Sequence, residues 1–526
     1  MKRFFTNINV HKYFKREALI RLILLLLLIF IPNIFHFIIL HEKVTSVFIN
    51  NLFLVALSIL FLKIPYTKII GYFLLLVFVL NNGLEIFSMC FYKDTFNVGM
   101  ALSILSSNAR ESFEMSSSYW FMFLIALVYY VIICISVNSI KKYLSIKVLI
   151  FACLLLIIYP AYLVHIEIAK NRENTLYKKT GESGVYFYMQ RTPITTLGPF
   201  MEAGHYLQIV KKSTREIYHY PPFTIQKNNI QNLVVVIGES ARRDALSLYG
   251  SKVNTTPLIQ KRTSNILEYK NAVSPGEFTN LALPLILSKQ IPGDNFSIEK
   301  NSDNIISLAN ATNIWETYWL SNQEQMGLYV NLFANIDLEA KYKFWTPPGS
   351  YDEVLFPFLD NILKDSSKKR LIFIHIMGSH DEAGMRYPSK FDKFHSNKEE
   401  FINEYNNSIG YTDYILDNII KKLEGTSSVV LYLSDHGQSI EDGGYRHSNT
   451  KKGFDVPFLI WYSDSVENKY KKVGEDTSYI STTYLYNILV NLMGIQGLTP
   501  KETNDSLKVM DGSMKPFFYK DLKPGT

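Results

Sequence analysis

The chain opens with long apolar stretches and, beyond about residue 165, changes to short apolar runs separated by polar ones. Five early stretches stand out, at about Leu22 to Leu40, Val47 to Leu62, Ile69 to Phe87, Tyr119 to Val137 and Val148 to Val164. A hydrocarbon core of roughly 30 Å takes about 20 apolar residues as a helix, so these runs predict five membrane spans. No small-residue cleavage site follows the first and four more runs do, which makes it an anchor rather than a signal peptide. Lys2, Arg3, Lys12, Lys15, Arg16 and Arg21 precede the first run, Lys63 and Lys68 follow the second, and Lys141, Lys142 and Lys147 follow the fourth. Cationic flanks stay in the cytoplasm, so everything after the fifth span is expected outside it.

Residues 165–228 read as a polar connector with helical stretches, among them Tyr186 to Arg191, and close on Tyr220-Pro221-Pro222. From residue 229 onward β-branched runs alternate with amphipathic segments, the pattern of an α/β sandwich. Strands are predicted at Leu233 to Ile237, Trp315 to Leu320, Arg370 to Ile376, Ser428 to Leu433 and Pro457 to Trp461, and helices at Leu281 to Leu287, Glu353 to Leu363, Glu400 to Leu423 and Thr483 to Met493. The strand runs are apolar on both faces, which fits a mostly parallel central sheet covered by helices on both sides. The expected organisation is a five-helix transmembrane domain over 1–164, the connector over 165–228, and the α/β/α catalytic domain over 229–526.

Charge and cysteine usage sharpen this division. Residues 1–164 hold 14 Lys and Arg against 6 Asp and Glu, the remainder 40 against 41, so the formal +7 belongs to the anchor. The distal part carries no basic stripe, which excludes nucleic acid as a partner. Cys90, Cys134 and Cys153 all lie in or beside the apolar region, and a domain of about 300 residues buries enough core without disulfides.

In open α/β sheets ligands gather at the carboxyl ends of strands. The first predicted strand runs into Gly238-Glu239-Ser240-Ala241-Arg242-Arg243-Asp244, and the fourth into Ser434-Asp435-His436-Gly437. An Asp-His pair alone is more often a turn or a cap, but with a strand-terminal Glu in the same sheet the donor set suits Zn²⁺ or a similar divalent ion. The segment Ser274 to Pro284 places Thr279 at a predicted helix start. A threonine there is ordinarily an N-cap; beside a metal its hydroxyl becomes a nucleophile, with Ser240 as the rival. His375 lies near the end of the third strand, and His380 and His447 lie in polar loops after strands. For His375, with apolar flanks, a satisfied core histidine is the competing reading.

These motifs together resemble the phosphoethanolamine transferases that decorate lipopolysaccharide, a membrane-bound branch of the alkaline phosphatase and sulfatase superfamily. The resemblance runs over nearly the whole chain: the five spans, Gly238 to Asp244, the Thr279 segment ending in Pro284, Met377-Gly378-Ser379-His380 and Ser434 to Gly437. It implies that Glu239, Thr279, Asp435 and His436 hold one catalytic zinc, with a second ion admitted, and that Thr279 carries phosphoethanolamine as a covalent intermediate. It further implies that His380, His447 and His375 contact substrate, and that Glu111, Ser107 and Ser103 meet the donor lipid. Phosphatidylethanolamine would be the donor and lipopolysaccharide the acceptor, with the protein in the bacterial inner membrane and its catalytic domain in the periplasm. Two departures bear on the acceptor: the soluble domain has no cysteine, and the Ser321-Asn322-Gln323 loop lacks the lysine of lipid A modifying members. Lipid A and a core sugar such as heptose or Kdo therefore both remain as acceptors. A phosphoglycerol transferase or a sulfatase-like hydrolase is the rival enzyme, and a catalytically silent membrane scaffold the rival outside enzymes.

Overall fold

The computed structural model describes residues 2–525 except 42–44, 93, 108–119, 156–157, 159–192, 214–217, 294–295, 324–331, 348, 366, 396–398, 441–444 and 446–449. The expected helix Tyr186 to Arg191 lies outside the described residues. Two compact units emerge, residues 1–101 with 111–203, and residues 102–110 with 204–526.

In the first unit the apolar runs become α1 (Lys2–Ile39), α2 (Thr45–Lys63), α3 (Lys68–Tyr92) and α4 (Trp120–Ile140). Among the described residues three helical segments, Arg16–Ile39, Lys68–Tyr92 and Trp120–Ile140, are long and apolar enough to cross a membrane. Val47–Lys63 and Ile146–Leu155 are shorter apolar helices, and most of the expected fifth span beyond Leu155 lies outside the described residues. Leu25, Ile29, Val55, Ile59, Leu75, Phe78, Ile133 and Val137 pack one against another, while Phe73 and Phe123 stay exposed at 60% and 67%. Side chains that find no protein partner on an apolar helix are the ones a bilayer would solvate. Between α2 and α3, Asn51 and Asn82 exchange amide hydrogen bonds of 2.9 Å, which ties two apolar helices at a fixed rotation.

The second unit is built on eight strands: β1 (Asn232–Gly238), β2 (Ile266–Val273), β3 (Trp315–Ser321), β4 (Tyr342–Trp345), β5 (Lys369–His375), β6 (Ser428–Ser434), β7 (Phe458–Tyr462) and β8 (Gly474–Ser481). They lie in the order β4-β3-β5-β1-β6-β7-β2-β8. Only β7 runs against its neighbours β6 and β2; the other pairings are parallel. All five expected strands form, and the sheet is mixed but mostly parallel, as their doubly apolar runs require. Helices α5 (Thr279–Leu287), α6 (Ile305–Ala311), α7 (Phe356–Leu363), α8 (Glu400–Leu423) and α9 (Leu485–Leu492) supply the layers. One face of β1, through Leu233, Val235 and Ile237, packs with α5, α6 and α9; the other, through Val234 and Val236, packs with α7 and α8. Both faces of β1 are thereby sealed, and its carboxyl end is held at the centre of the sheet.

Candidate active site

β1 and β6 are parallel neighbours in register from Asn232 opposite Ser428 to Gly238 opposite Ser434. Their next residues, Glu239 and Asp435, therefore leave the sheet side by side, and the Asp435 N–H still donates to the Gly238 carbonyl at 3.0 Å. Glu239, Asp435 and His436 form the one cluster of potential metal ligands among the described residues, all three buried. His436 Nε2 lies 3.1 Å from Glu239 Oε1 and 3.3 Å from Asp435 Oδ2.

Thr279, half-buried, is the first residue of α5, but its hydroxyl does not cap the helix. It lies 2.6 Å from Asp435 Oδ2, 3.0 Å from Glu239 Oε2 and 3.3 Å from His436 Nε2. Four donor atoms of different chains of bonding thus face one point. A tetrahedral site with ~2.0–2.1 Å bonds separates its ligand atoms by roughly 3.3 Å, so two carboxylates, an imidazole and a hydroxyl at these spacings fit a zinc-sized cation.

The approach of α5 depends on a missing side chain. A Cβ on Gly276 would lie 2.7 Å from the Ala282 nitrogen and 3.0 Å from the Leu281 carbonyl carbon, so any larger residue would push the first turn of α5 off the cluster. Gly378 similarly stacks on the Glu239 backbone, where a Cβ would come within 2.9 Å of its nitrogen, and takes φ +54. Asp352 holds this loop by accepting from the N–H groups of Met377 (2.8 Å) and Gly378 (3.1 Å).

The electrostatics follow from packing three ionisable groups out of water. Burial pushes the Glu239 carboxyl up, but the hydrogen bond and charge of His436, with His380 adding to them, hold it well below the usual range. For Asp435, burial and then the Glu239 charge push the carboxyl up to about 7. Burial would lower His436, yet Asp435 and Glu239 raise it to about 10. A cation at the centre would offset both carboxylates and take the place of the proton that His436 otherwise holds.

Other expected residues are distributed unevenly. His375 ends β5, fully buried against Trp319 and Phe333 at 5.8 and 6.0 Å; burial lowers it to about 4, and its Nε2 has no hydrogen bond among the described residues. The His380 Nδ1 is likewise buried without a partner among the described residues, and the ring acts on the Glu239 carboxyl through its charge. Ser107 donates its hydroxyl to the Ser103 carbonyl at 2.7 Å. His447 and Glu111 lie outside the described residues. Ser240 directs its hydroxyl to Glu239 Oε1 at 2.8 Å. Gln323, singled out in the sequence only for the lysine its loop lacks, reaches Glu239 Oε2 (2.9 Å) and the Ile376 carbonyl (3.1 Å) through Nε2. Nothing in its local sequence marks that contact, because it comes from a strand two places away in the sheet.

Strand order, a carboxylate and histidine cluster at strand ends and a helix-borne threonine fit an alkaline-phosphatase-like domain. Residues 231–495 match the sulfatase family, and residues 8–212 match the N-terminal domain of the transferase YhbX. YhbX of Escherichia coli K12 is 28% identical over 485 residues, covering 88% of this chain and 85% of that protein. The phosphoethanolamine transferase EptC of the same strain is 25% identical over 421 residues, 72% of each chain. Among solved structures, the integral membrane lipooligosaccharide phosphoethanolamine transferase A of Neisseria meningitidis shares the fold, with a TM-score of 0.58 at 19% identity over 85% of this chain and 87% of that one. The chain belongs to the phosphoethanolamine transferase family of the alkaline phosphatase superfamily, and its class of activity is transfer.

Proposed function

We propose that this protein transfers phosphoethanolamine from phosphatidylethanolamine to lipopolysaccharide, on lipid A or a core sugar such as heptose or Kdo, through a phosphoethanolamine-threonine intermediate on Thr279. The observation that carries the reading is the Thr279 hydroxyl, within 3.3 Å of Glu239, Asp435 and His436 at the first turn of a helix. Glu239, Thr279, Asp435 and His436 would hold zinc, which when bound supplies a Lewis acid that lowers the pKa of the hydroxyl and offsets phosphoryl charge.

In the first half-reaction Thr279 Oγ1 forms a bond to the donor phosphorus, the bond from phosphorus to the diacylglycerol oxygen breaks, and that oxygen takes up the proton that the Thr279 hydroxyl gives up, so diacylglycerol leaves as the alcohol. The hydroxyl proton departs toward Asp435 Oδ2, to which it already donates. In the second half-reaction an acceptor oxygen attacks the same phosphorus, and Thr279 leaves as the hydroxyl. The helix N-terminus favours the phosphate in both. His380 and His375, each with an unpartnered buried ring nitrogen, would meet phosphoryl oxygens or the leaving oxygen, and His447 would join them. Glu111, Ser107 and Ser103 would contact the donor lipid. Five spans would anchor the chain in the bacterial inner membrane, with the catalytic unit periplasmic.

The test is peptide mass analysis of full-length enzyme quenched with phosphatidylethanolamine. A phosphoethanolamine adduct on the Thr279 peptide, lost in Thr279→Ala together with several orders of magnitude of transfer, is the expected result. An adduct on Ser240, or no adduct under conditions of active transfer, would overturn it. Mass spectra of lipid A and core oligosaccharide from cells with and without the gene then identify the acceptor.

A further inference from the structure

Ser240 is a residue the transfer chemistry leaves without a task, and it stands in an unusual conformation. Its φ is +59, the left-handed region that a residue with a Cβ adopts at a cost. Three bonds converge there. Its N–H donates to Asp435 Oδ1 at 3.1 Å, its hydroxyl donates to Glu239 Oε1 at 2.8 Å, and its carbonyl accepts from the Tyr405 hydroxyl at 2.7 Å. The Tyr405 oxygen in turn accepts from the Arg242 N–H at 2.8 Å, so one phenol closes the turn from both sides. Tyr405 is fully buried in α8, on the opposite side of the sheet from α5.

The geometry has a directional consequence. A left-handed residue directly after a strand folds the chain back, which turns the Ser240 N–H and hydroxyl toward the same point as the Glu239 side chain. Each carboxylate then has one oxygen held by Ser240, while the other, Glu239 Oε2 and Asp435 Oδ2, faces the Thr279 hydroxyl. Those two donors act beside the His436 N–H on Asp435 Oδ1 (2.7 Å) and Gln323 Nε2 on Glu239 Oε2 (2.9 Å) to fix terminal torsions that are otherwise broad and roughly two-fold.

We propose that Ser240 and Tyr405 are positioning residues for the metal centre: Tyr405 clamps the left-handed turn, and Ser240 orients both carboxylates toward a cation shared with Thr279. This rests on the reading of Glu239 and Asp435 as metal ligands. Outer partners of ligating carboxylates commonly set metal affinity by 10–100-fold, and the pair should act on that scale.

The full-length protein in detergent is stripped of metal and titrated with Zn²⁺ against a chromophoric chelator, and separately loaded with Co²⁺ for its visible absorption. Tyr405→Phe keeps the packed ring and removes one hydroxyl; Ser240→Gly takes φ +59 without strain and removes the other. Both are expected to lose 10-fold or more in Zn²⁺ affinity and to change the Co²⁺ spectrum, while Ser240→Thr, which keeps the donor, recovers most of the affinity. Should Tyr405→Phe fail to fold, Ser240→Gly and Ser240→Thr carry the comparison alone. Wild-type affinity and an unchanged Co²⁺ spectrum in the folded variants would overturn the proposal. A wild-type protein that takes up no metal would instead overturn the reading of the site on which it rests.

Discussion

A single carboxyl can make stability depend on pH, and Glu339 shows how. It is partly buried beside the helix cap Asn304, whose amide donates to Glu339 Oε2 at 3.1 Å. Burial, only partly countered by that bond and by Ser307, raises its carboxyl to about 7. A raised acid binds its proton more tightly folded than unfolded, so its stabilising share is complete below about pH 4.5 and is lost as pH climbs through 7. Glu339→Gln keeps an acceptor for Asn304 and cannot ionise. We expect it to raise the melting midpoint at pH 8.5 by the equivalent of about 1–2 kcal/mol and to change little at pH 4.5. Equal effects at both pH values would show that ionisation is not the cause. At the same scale Thr279 was readable in the sequence as a hydroxyl at a helix start, whereas Gln323 and Tyr405 were not. Each acts on Glu239 or Ser240 from a distant segment, and a lone glutamine or a helix tyrosine carries no local mark of such a bond.

Helix α5 shows why an element can matter beyond its own residues. Its amino end presents Thr279, and near its carboxyl end the fully buried Lys501 donates to the carbonyls of Leu285 (2.5 Å) and Ser288 (2.7 Å). Burial holds the Lys501 amine well below the usual lysine range, so it serves there as a hydrogen-bond donor to the last carbonyls of the helix. Lys501→Met fills similar volume but leaves two carbonyls without their donor, and we expect a loss on the order of 2–4 kcal/mol in urea unfolding. An unchanged midpoint would mean that the lysine is dispensable. Most elements followed from the pattern: the apolar strand runs became β1, β3, β5, β6 and β7 within a residue or two of their expected bounds. β2, β4 and β8 were missed; β8, for one, runs from Gly474 to Ser481, is exposed over most of its length and lacks an apolar run. An edge strand needs only backbone pairing on one side, and β8 gets it from β2.

For the whole molecule the predictions concern membrane sidedness and metal. The proposed orientation has the second unit outside the cytoplasm, so alkaline phosphatase fused after the final residue should be active in cells; an inactive fusion alongside an active cytoplasmic reporter would reverse the orientation. Exhaustive chelation of the purified protein should abolish transfer and Zn²⁺ should restore it, while full activity after chelation would remove the metal from the mechanism. Sequence by itself determined the apolar helices of the first unit, the α/β class and the residue types of the candidate site, because each is written in periodicity or in motifs that end a strand. Tertiary structure alone decided how those residues meet. The order β5-β1-β6 sets Glu239 beside Asp435, close packing at Gly276 admits α5, and Tyr405 reaches Ser240 from across the sheet. Such contacts join residues far apart in the chain, and their energy depends on distance and direction that no local pattern encodes.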